Sequence, residues 1–284
     1  MVVSVVTPAL DAGRFIERTL SSVASQTYRD VEHIVVDGGS RDRTAELVRE
    51  SDARLLVVPG LRQAEAVNRG VAETRGELVV VLNADDVLEP DGIAALVTAL
   101  AHEPDAVAAY GEALHVAADD AVISRYPTES FDPHALRERC YICQPAAAVR
   151  RTAFDAVGGM DARLDVAMDY DFWIRLARYG RFVHTEALVA RSRMHEDNKT
   201  LARRGEVYRE VIGILRRRYG YVPYGWAYAY ASWLLHRGDQ FFTPPPRSRI
   251  AVLFALALGV ALNPLQPLRS VRDWYGHRTV ARGR

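Results

Sequence analysis

Through its first 110 residues the chain alternates two hydrophobic periods. Short apolar runs, Val2 to Thr7, His33 to Val36, Leu55 to Val58, Leu78 to Leu82 and Ala106 to Tyr110, have the length and composition of buried strands. Between them, apolar residues return every three or four positions, as in Gly13 to Gln26, where Phe15, Ile16, Leu20 and Val23 share one face. Thr44 to Glu50, Gln63 to Thr74 and Asp91 to His102 read as further helices, the first of them approached by capping residues at Ser40 to Asp42. Strands that alternate with helices at this spacing predict βαβ units and a mostly parallel sheet flanked by helices, an α/β fold.

From Gly111 the rhythm breaks. Ala113 to Val116 and Val122 to Arg125 can pair as a ribbon, Arg151 to Val157 and Met168 to Tyr179 repeat as helices, and Phe182 to Arg191 is extended. From about Leu201 the pattern is helical, which divides the chain into an α/β domain over 1–200 and a helical C-terminal extension over 201–284. Within that extension Ile250 to Leu262 is apolar apart from Gly259, yet too short to span a bilayer, which takes roughly 20 residues. Arg247, Arg249, Arg269 and Arg272 flank it, and aromatic residues crowd Tyr221 to Trp233, a composition that suits peripheral contact with a membrane. The simpler expectation is a buried helix of a C-terminal cap, or a homodimer contact.

Composition narrows the picture only a little. Lys and Arg number 36 and Asp and Glu 36, for a formal net charge of +0, so nothing global points to nucleic acid as a partner. Met1 leads directly into apolar residues without a charged segment or a cleavage site, which predicts a cytoplasmic protein. Cys140 and Cys143 form a C-x-x-C without further metal-type ligands nearby, and read as reduced structural thiols.

Chemistry concentrates in four places. LNADD, Leu82 to Asp86, ends the fourth strand run and presents Asn83, Asp85 and Asp86 at the carboxyl edge of the sheet, where open α/β sheets bind ligands. Hard oxygen donors there suit Mg²⁺ or Mn²⁺ holding a nucleotide diphosphate, although a solvated acidic turn before a helix has the same residues. VDGGSRDRT, Val36 to Thr44, places Asp37 at the end of the second strand before a glycine-permitted turn. In QAEAVNRG, Gln63 to Gly70, an Asn and a Gly inside a helix break local preference, as functional clusters tend to. AMDYDFW, Ala167 to Trp173, puts Asp169 and Asp171 in a first helical turn; the helix dipole accounts for both, or one is a general base.

Taken together and in order, VVTPALDAGRFIERTLSSVASQTY, VDGGSRD, QAEAVNRG, LNADD and MDYDFW resemble the inverting glycosyltransferases of family 2, over about the first 200 residues. The resemblance implies a GT-A fold, a Rossmann-like nucleotide-diphospho-sugar transferase architecture. It implies Thr7 and Pro8 against the nucleotide, Asp37 on the base, and Glu65 and Asn68 nearby. LNADD resembles a D-x-D element, with Asn83 at its first acidic position, Asp85 as ligand of Mg²⁺ or Mn²⁺, and Asp86 contacting the donor sugar or supporting the metal. Asp169 matches the catalytic carboxylate, and His195 a histidine that approaches the diphosphate or metal. Gln144 is a candidate for gripping the acceptor.

The partners so implied are a nucleotide-diphosphate sugar and a glycan or lipid-linked acceptor, in bacterial polysaccharide or glycolipid synthesis at the inner face of the cell membrane. The chain departs from the family pattern at Asp11, often Asn; at Asn83, often Asp; and at Met168, often Glu. The second departure lowers the charge of a metal site, and the third leaves Asp169 easier to ionise. A non-catalytic sugar-nucleotide scaffold and a nucleotidyltransferase are the rival readings. The second would want a glycine- and basic-rich loop where TPALDAGR has a single Gly13 and Arg14. No G-x-G-x-x-G follows any strand, which argues against a dinucleotide oxidoreductase.

Overall fold

A computed structural model describes residues 1–237, 241–242 and 248–280, the side chains of 276–280 excepted. Arg247 therefore lies outside the described residues. The chain forms two compact units, one of Met1–Pro133 with Cys140–His195 and one of His134–Arg139 with Glu196 onward.

The first unit is built on a sheet of nine strands among the described residues, in the order β3-β2-β1-β4-β8-β6-β9-β5, with β7 (Val122–Arg125) paired to β6. β1 (Val3–Ala9), β2 (Val31–Asp37), β3 (Arg54–Val57) and β4 (Leu78–Val81) are parallel neighbours. β8 (Ala147–Arg150) runs antiparallel between β4 and β6 (Ala108–Val116), so β6 and its parallel neighbour β9 (Phe182–Arg193) point the same way as the first four. β5 (Val87–Leu88) pairs antiparallel with β9 at the far edge.

The expected helices form as α1 (Ile16–Ala24), α2 (Thr44–Arg49), α3 (Gln63–Ala72), α4 (Gly92–His102), α5 (Arg151–Ala156) and α6 (Met168–Tyr179). α1 buries Ile16, Thr19, Leu20 and Val23, one stripe at helical spacing. One core cluster joins Val3, Val5, Leu78 and Val80 of the parallel strands, and Leu82 just after β4, to Ile93, Leu96 and Leu100 of α4.

Two differences from the sequence reading have plain causes. The expected fifth strand and the first arm of the ribbon are one strand, β6, because Gly111 lies beneath Val189 where a Cβ would come within 2.5 Å of its side chain. The ribbon with β7 does form, Leu114 opposite Arg125. Gly70 proves to be a packing requirement: a Cβ there would lie 2.4 Å from Val6 Cγ1 and 3.0 Å from Val36 Cγ2, so only glycine lets α3 sit this close to the sheet.

In the second unit α7 (Lys199–Ala202), α8 (Arg204–Tyr219), α9 (Tyr224–His236), α10 (Arg249–Leu262) and α11 (Pro267–Val280) follow one another. Gly220, in the left-handed region at φ 65, ends α8. The buried Asn263 ties the turn after α10 together: Oδ1 accepts Val222 N at 2.7 Å, and Nδ2 reaches Val222 O at 2.9 Å, Gly259 O at 2.8 Å and Ser270 Oγ at 3.1 Å. The expectation of a buried helix over Ile250 to Leu262 fails. α10 buries Ala251, Ala255 and Gly259 and leaves Ile250 and Leu253 about two-thirds exposed. Among the described residues no helix is long and apolar enough to cross a membrane.

Gly70→Val places branched carbons inside the Val6 and Val36 van der Waals shells and is expected to cost at least about 2 kcal/mol. Urea unfolding measures this; an unchanged midpoint would show that α3 can move off the sheet.

Candidate functional site

The carboxyl ends of β2, β1 and β4 lie side by side, and the loops that leave them define the site. At the end of β2 the buried Asp37 shapes its own turn: Oδ1 accepts Gly39 N at 3.0 Å, Ser40 N at 2.8 Å and Ser40 Oγ at 2.7 Å. That turn is laced to the loop after β1. Ser40 Oγ accepts Asp11 N at 2.8 Å and Asp11 Oδ1 accepts Arg41 N at 2.7 Å. Asp11 sits at φ 49, a left-handed conformation that Asn and Asp tolerate better than other side chains, which explains why either serves there. Pro8 is buried opposite Val36. Thr7 is fully buried and its hydroxyl is engaged by His33 Nε2 at 3.0 Å, while burial pulls that imidazole down to about 4 and keeps it neutral.

The loop after β4 carries the chain from the middle of the sheet to β5 at its far edge, and it is heavily braced. Asn83 Oδ1 accepts amide protons from Gln63 Nε2 at 2.8 Å and Gln144 Nε2 at 3.1 Å, while Asn83 Nδ2 donates to Asp86 Oδ2 at 3.0 Å. The amide of Asn83 thus takes two donors and still gives a proton to Asp86. Gln144, expected to grip an acceptor, spends its amide nitrogen on the loop.

Asp86 is buried and accepts Arg193 N at 2.8 Å; burial first, and the Asp85 carboxylate second, push it up to about 8. The buried hydroxyl of Thr19 lies 2.9 Å from Ala84 O and 2.8 Å from Asp86 O. Arg193, 0% exposed, completes the brace. Its Nε donates to Asp85 O at 2.9 Å, its Nη1 to Ala117 O and Ala118 O at 3.0 and 3.2 Å, its Nη2 pairs with Asp120 at 2.6 Å, and its guanidinium lies 5.2 Å from the Phe15 ring centre. Neither Thr19 nor Arg193 stands out in the sequence, because a threonine in an amphipathic helix and an arginine in an R-x-R strand end carry no local signal.

Asp85 is the carboxylate of the loop that meets solvent, its side chain 25% exposed against 10% for His195, whose Nε2 lies 3.1 Å from Asp85 Oδ2. The His195 ring packs on Phe15 at 4.7 Å, and its Nδ1 is buried with no hydrogen-bond partner among the described residues. The separation of Asp85 Oδ2 and His195 Nε2 matches the roughly 3 Å between neighbouring ligands of an octahedral ion with bonds of about 2.1 Å. Among the described residues no three His, Cys, Asp or Glu converge on one point.

Of the two carboxylates opening α6, the structure separates the roles. Asp171 is fully buried and paired with Arg175 at 2.7 Å, a structural contact. Asp169 is partly exposed and caps its own helix turn, Oδ1 accepting Tyr170 N at 2.8 Å. Burial raises the Cys143 thiol, and the charges of Asp86, Cys140 and Asp169 push it further. Cys140 is raised likewise by burial and by Asp169, and both cysteines are free thiols held protonated and unreactive.

The two remaining candidates on α3, Glu65 and Asn68, make contacts within the protein. Glu65 Oε2 accepts Arg62 N at 2.9 Å and closes the helix start. Asn68 grips the Met160 backbone at both ends, Nδ2 to Met160 O and Oδ1 from Met160 N, each at 2.8 Å, and so holds the turn that leads towards α6.

The sheet, with β4, β1, β2 and β3 parallel and the Asp85–His195 pair and the turn-forming Asp37 at its carboxyl edge, has the architecture of the GT-A type. Residues 4–158 match the model of glycosyl transferase family 2, and the chain belongs to that family. It is 32% identical over 184 residues to the PGL/p-HBAD biosynthesis glycosyltransferase of Mycobacterium bovis, covering 61% of this chain and 68% of that protein. It is 26% identical over 212 residues to the hyaluronan synthase of Pasteurella multocida, covering 72% of this chain but only 21% of that protein's length. The fold resembles that of the mannosyltransferase PcManGT from Pyrobaculum calidifontis in complex with GDP-Man and Mn²⁺, with a TM-score of 0.57 and 20% identity over 98% of this chain and 80% of that one.

Arg193→Met removes the charge and leaves the Asp85, Ala117 and Ala118 carbonyls without their donor. The expected cost is about 3 kcal/mol in urea unfolding. An undiminished unfolding midpoint would mean that the loop is braced some other way.

Proposed function

We propose that the protein transfers a sugar from a nucleotide-diphosphate donor to an acceptor hydroxyl with inversion at the anomeric carbon. The observation that supports this is the solvent-facing Asp85–His195 pair at the loop after β4, and Asp169 is the partly exposed carboxylate at the start of α6. Asp85 and His195 are the residues that hold Mg²⁺ or Mn²⁺, with the diphosphate of the donor supplying further oxygens; the Mn²⁺ and GDP-Man bound to PcManGT support this assignment. When bound, the ion supplies Lewis-acid neutralisation of the leaving diphosphate. Asp37, Thr7 and Pro8 line the nucleotide end, Asp37 towards the base.

Asp169 accepts the proton of the acceptor hydroxyl while that oxygen attacks from the face opposite the diphosphate, which leaves with its bonding pair. Such general-base help is typically worth roughly 10²–10⁴ in rate. Asn83, Asp86, Glu65 and Asn68 hold the framework, Asp86 and Asn83 by fixing the Asp85 loop. The acceptor is a glycan or lipid-linked saccharide, and the setting is bacterial polysaccharide or glycolipid synthesis in the cytoplasm, at the inner face of the cell membrane. The names of the mycobacterial and Pasteurella relatives support that setting.

Asp169→Asn is expected to lower turnover by roughly 10²-fold or more while donor affinity stays within about twofold, read by product formation and by calorimetry. Retained turnover would remove Asp169 from the role of base. Asp85→Ala is expected to abolish the Mn²⁺-dependent part of donor binding. Calorimetry with and without Mn²⁺ reads this directly, and equal affinities in wild type under both conditions would sink the metal assignment.

A further inference from the structure

The formal neutrality of the chain conceals a strong partition. Residues 1–195 carry 21 Arg and Lys against 30 Asp and Glu, a formal −9, while residues 196–284 carry 15 against 6, a formal +9. Between Ser248 and Arg272 there is no acidic residue at all. In that same stretch α10 is inverted relative to an ordinary surface helix. Its small residues Ala251, Ala255 and Gly259 are buried, and Gly259 comes within 3.2 Å of Ser270 where a Cβ would stand. Four of its large residues face outward, Ile250 67% exposed, Leu253 68%, Phe254 37% and Val260 40%, while Leu256 and Leu258 pack against the inner cluster of Tyr224, Ala231 and Ala255.

Those four positions fall at i, i+3, i+4 and i+10, one helical face; the turn that follows adds Leu265 at 91%, and the first turn of α11 adds Leu268 at 82%. A contiguous apolar surface of this kind marks an interaction site rather than ordinary exposure.

We propose that this face of α10, with Leu265 and Leu268, lies in the surface of a lipid bilayer containing anionic lipids. The length suits such a placement: 14 helical residues extend about 21 Å, short of the roughly 30 Å hydrocarbon core, so the helix lies along the interface instead of crossing it. Charge selects this occupant over a second copy of the chain. Pairing two copies through α10 would bring together two segments of formal +9, whereas an anionic lipid surface is attractive to Arg249 and Arg272, both exposed beside the apolar stripe. Tyr275, 61% exposed on α11, is of the residue type that settles at the headgroup level. The inference deepens the membrane setting of the proposed function but uses none of its catalytic assignments.

The test is flotation of the full chain with vesicles of phosphatidylcholine alone or mixed in equal parts with phosphatidylglycerol. The wild type is expected to float with the mixed vesicles and to bind pure phosphatidylcholine far less. Leu253→Asp with Leu265→Asp alters two exposed side chains and is expected to reduce bound protein roughly tenfold or more, at an unchanged melting temperature. Arg249→Glu with Arg272→Glu is expected to remove the preference for phosphatidylglycerol. The milder pair Leu253→Ser and Leu265→Ser replaces the first should that one fail to fold, with the same loss expected. Absence of wild-type flotation, flotation that neither leucine pair diminishes, or a sedimenting dimer that Leu253→Asp dissociates without any vesicle binding would each overturn the proposal. Because flotation requires no turnover, its failure leaves the Asp85 and Asp169 assignments standing, and their failure leaves this one.

Discussion

A charged guanidinium with no exposure to solvent must find its partners inside the protein. Arg193 finds them in the backbone carbonyls of the β4 loop and of the turn between β6 and β7, the Asp120 carboxylate and the ring of Phe15. Its own amide fixes Asp86. Four segments distant in sequence are thereby held in one arrangement, and the loop that crosses from the middle of the sheet to its edge cannot wander. Thr19, lying against two carbonyls of the same loop from α1, acts to the same end. The placement of Asp85, and with it of His195 at 3.1 Å, follows from that bracing.

The site works by giving adjacent carboxylates different surroundings. Asp86 is buried, spends both oxygens on N–H donors and is pushed up; Asp85 beside it keeps access to solvent. The same division recurs in α6, where Asp171 is buried against Arg175 and Asp169 is left partly exposed at the start of the helix. Asn83 belongs to this logic, since an amide can take two donors and still give a proton to Asp86. One carboxylate of each pair is buried in contacts that hold the protein together, and the other keeps partial access to solvent.

The C-terminal unit follows a different economy of side chains. Small residues on the inner face of α10 let it approach closely, Leu256 and Leu258 pack beside them, and the buried amide of Asn263 satisfies the backbone of the following turn. Ile250, Leu253, Phe254 and Val260 are left on the outer face. Aromatic and arginine content marks this region in the sequence, but exposure is a tertiary property, and an apolar run alone does not say which of its large residues face solvent.

The sequence by itself determined the α/β alternation, because hydrophobic period is local and strands and helices differ in it. It also determined the family, through ordered motifs at strand ends and helix starts, and so pointed to Asp37, Asp85 and Asp169. The glycine and asparagine of α3 were legible as anomalies but not as packing, since Val6, Val36 and the Met160 backbone are brought to them only by folding. β8, the two-residue β5 and the merging of β6 escaped the pattern because short or glycine-containing strands are specified by their neighbours. Which carboxylate is buried, which polar side chains brace the loop, and what Arg193 does were decided by tertiary structure alone. Desolvation and hydrogen-bond partners are set by residues a hundred positions away, and no local pattern records them.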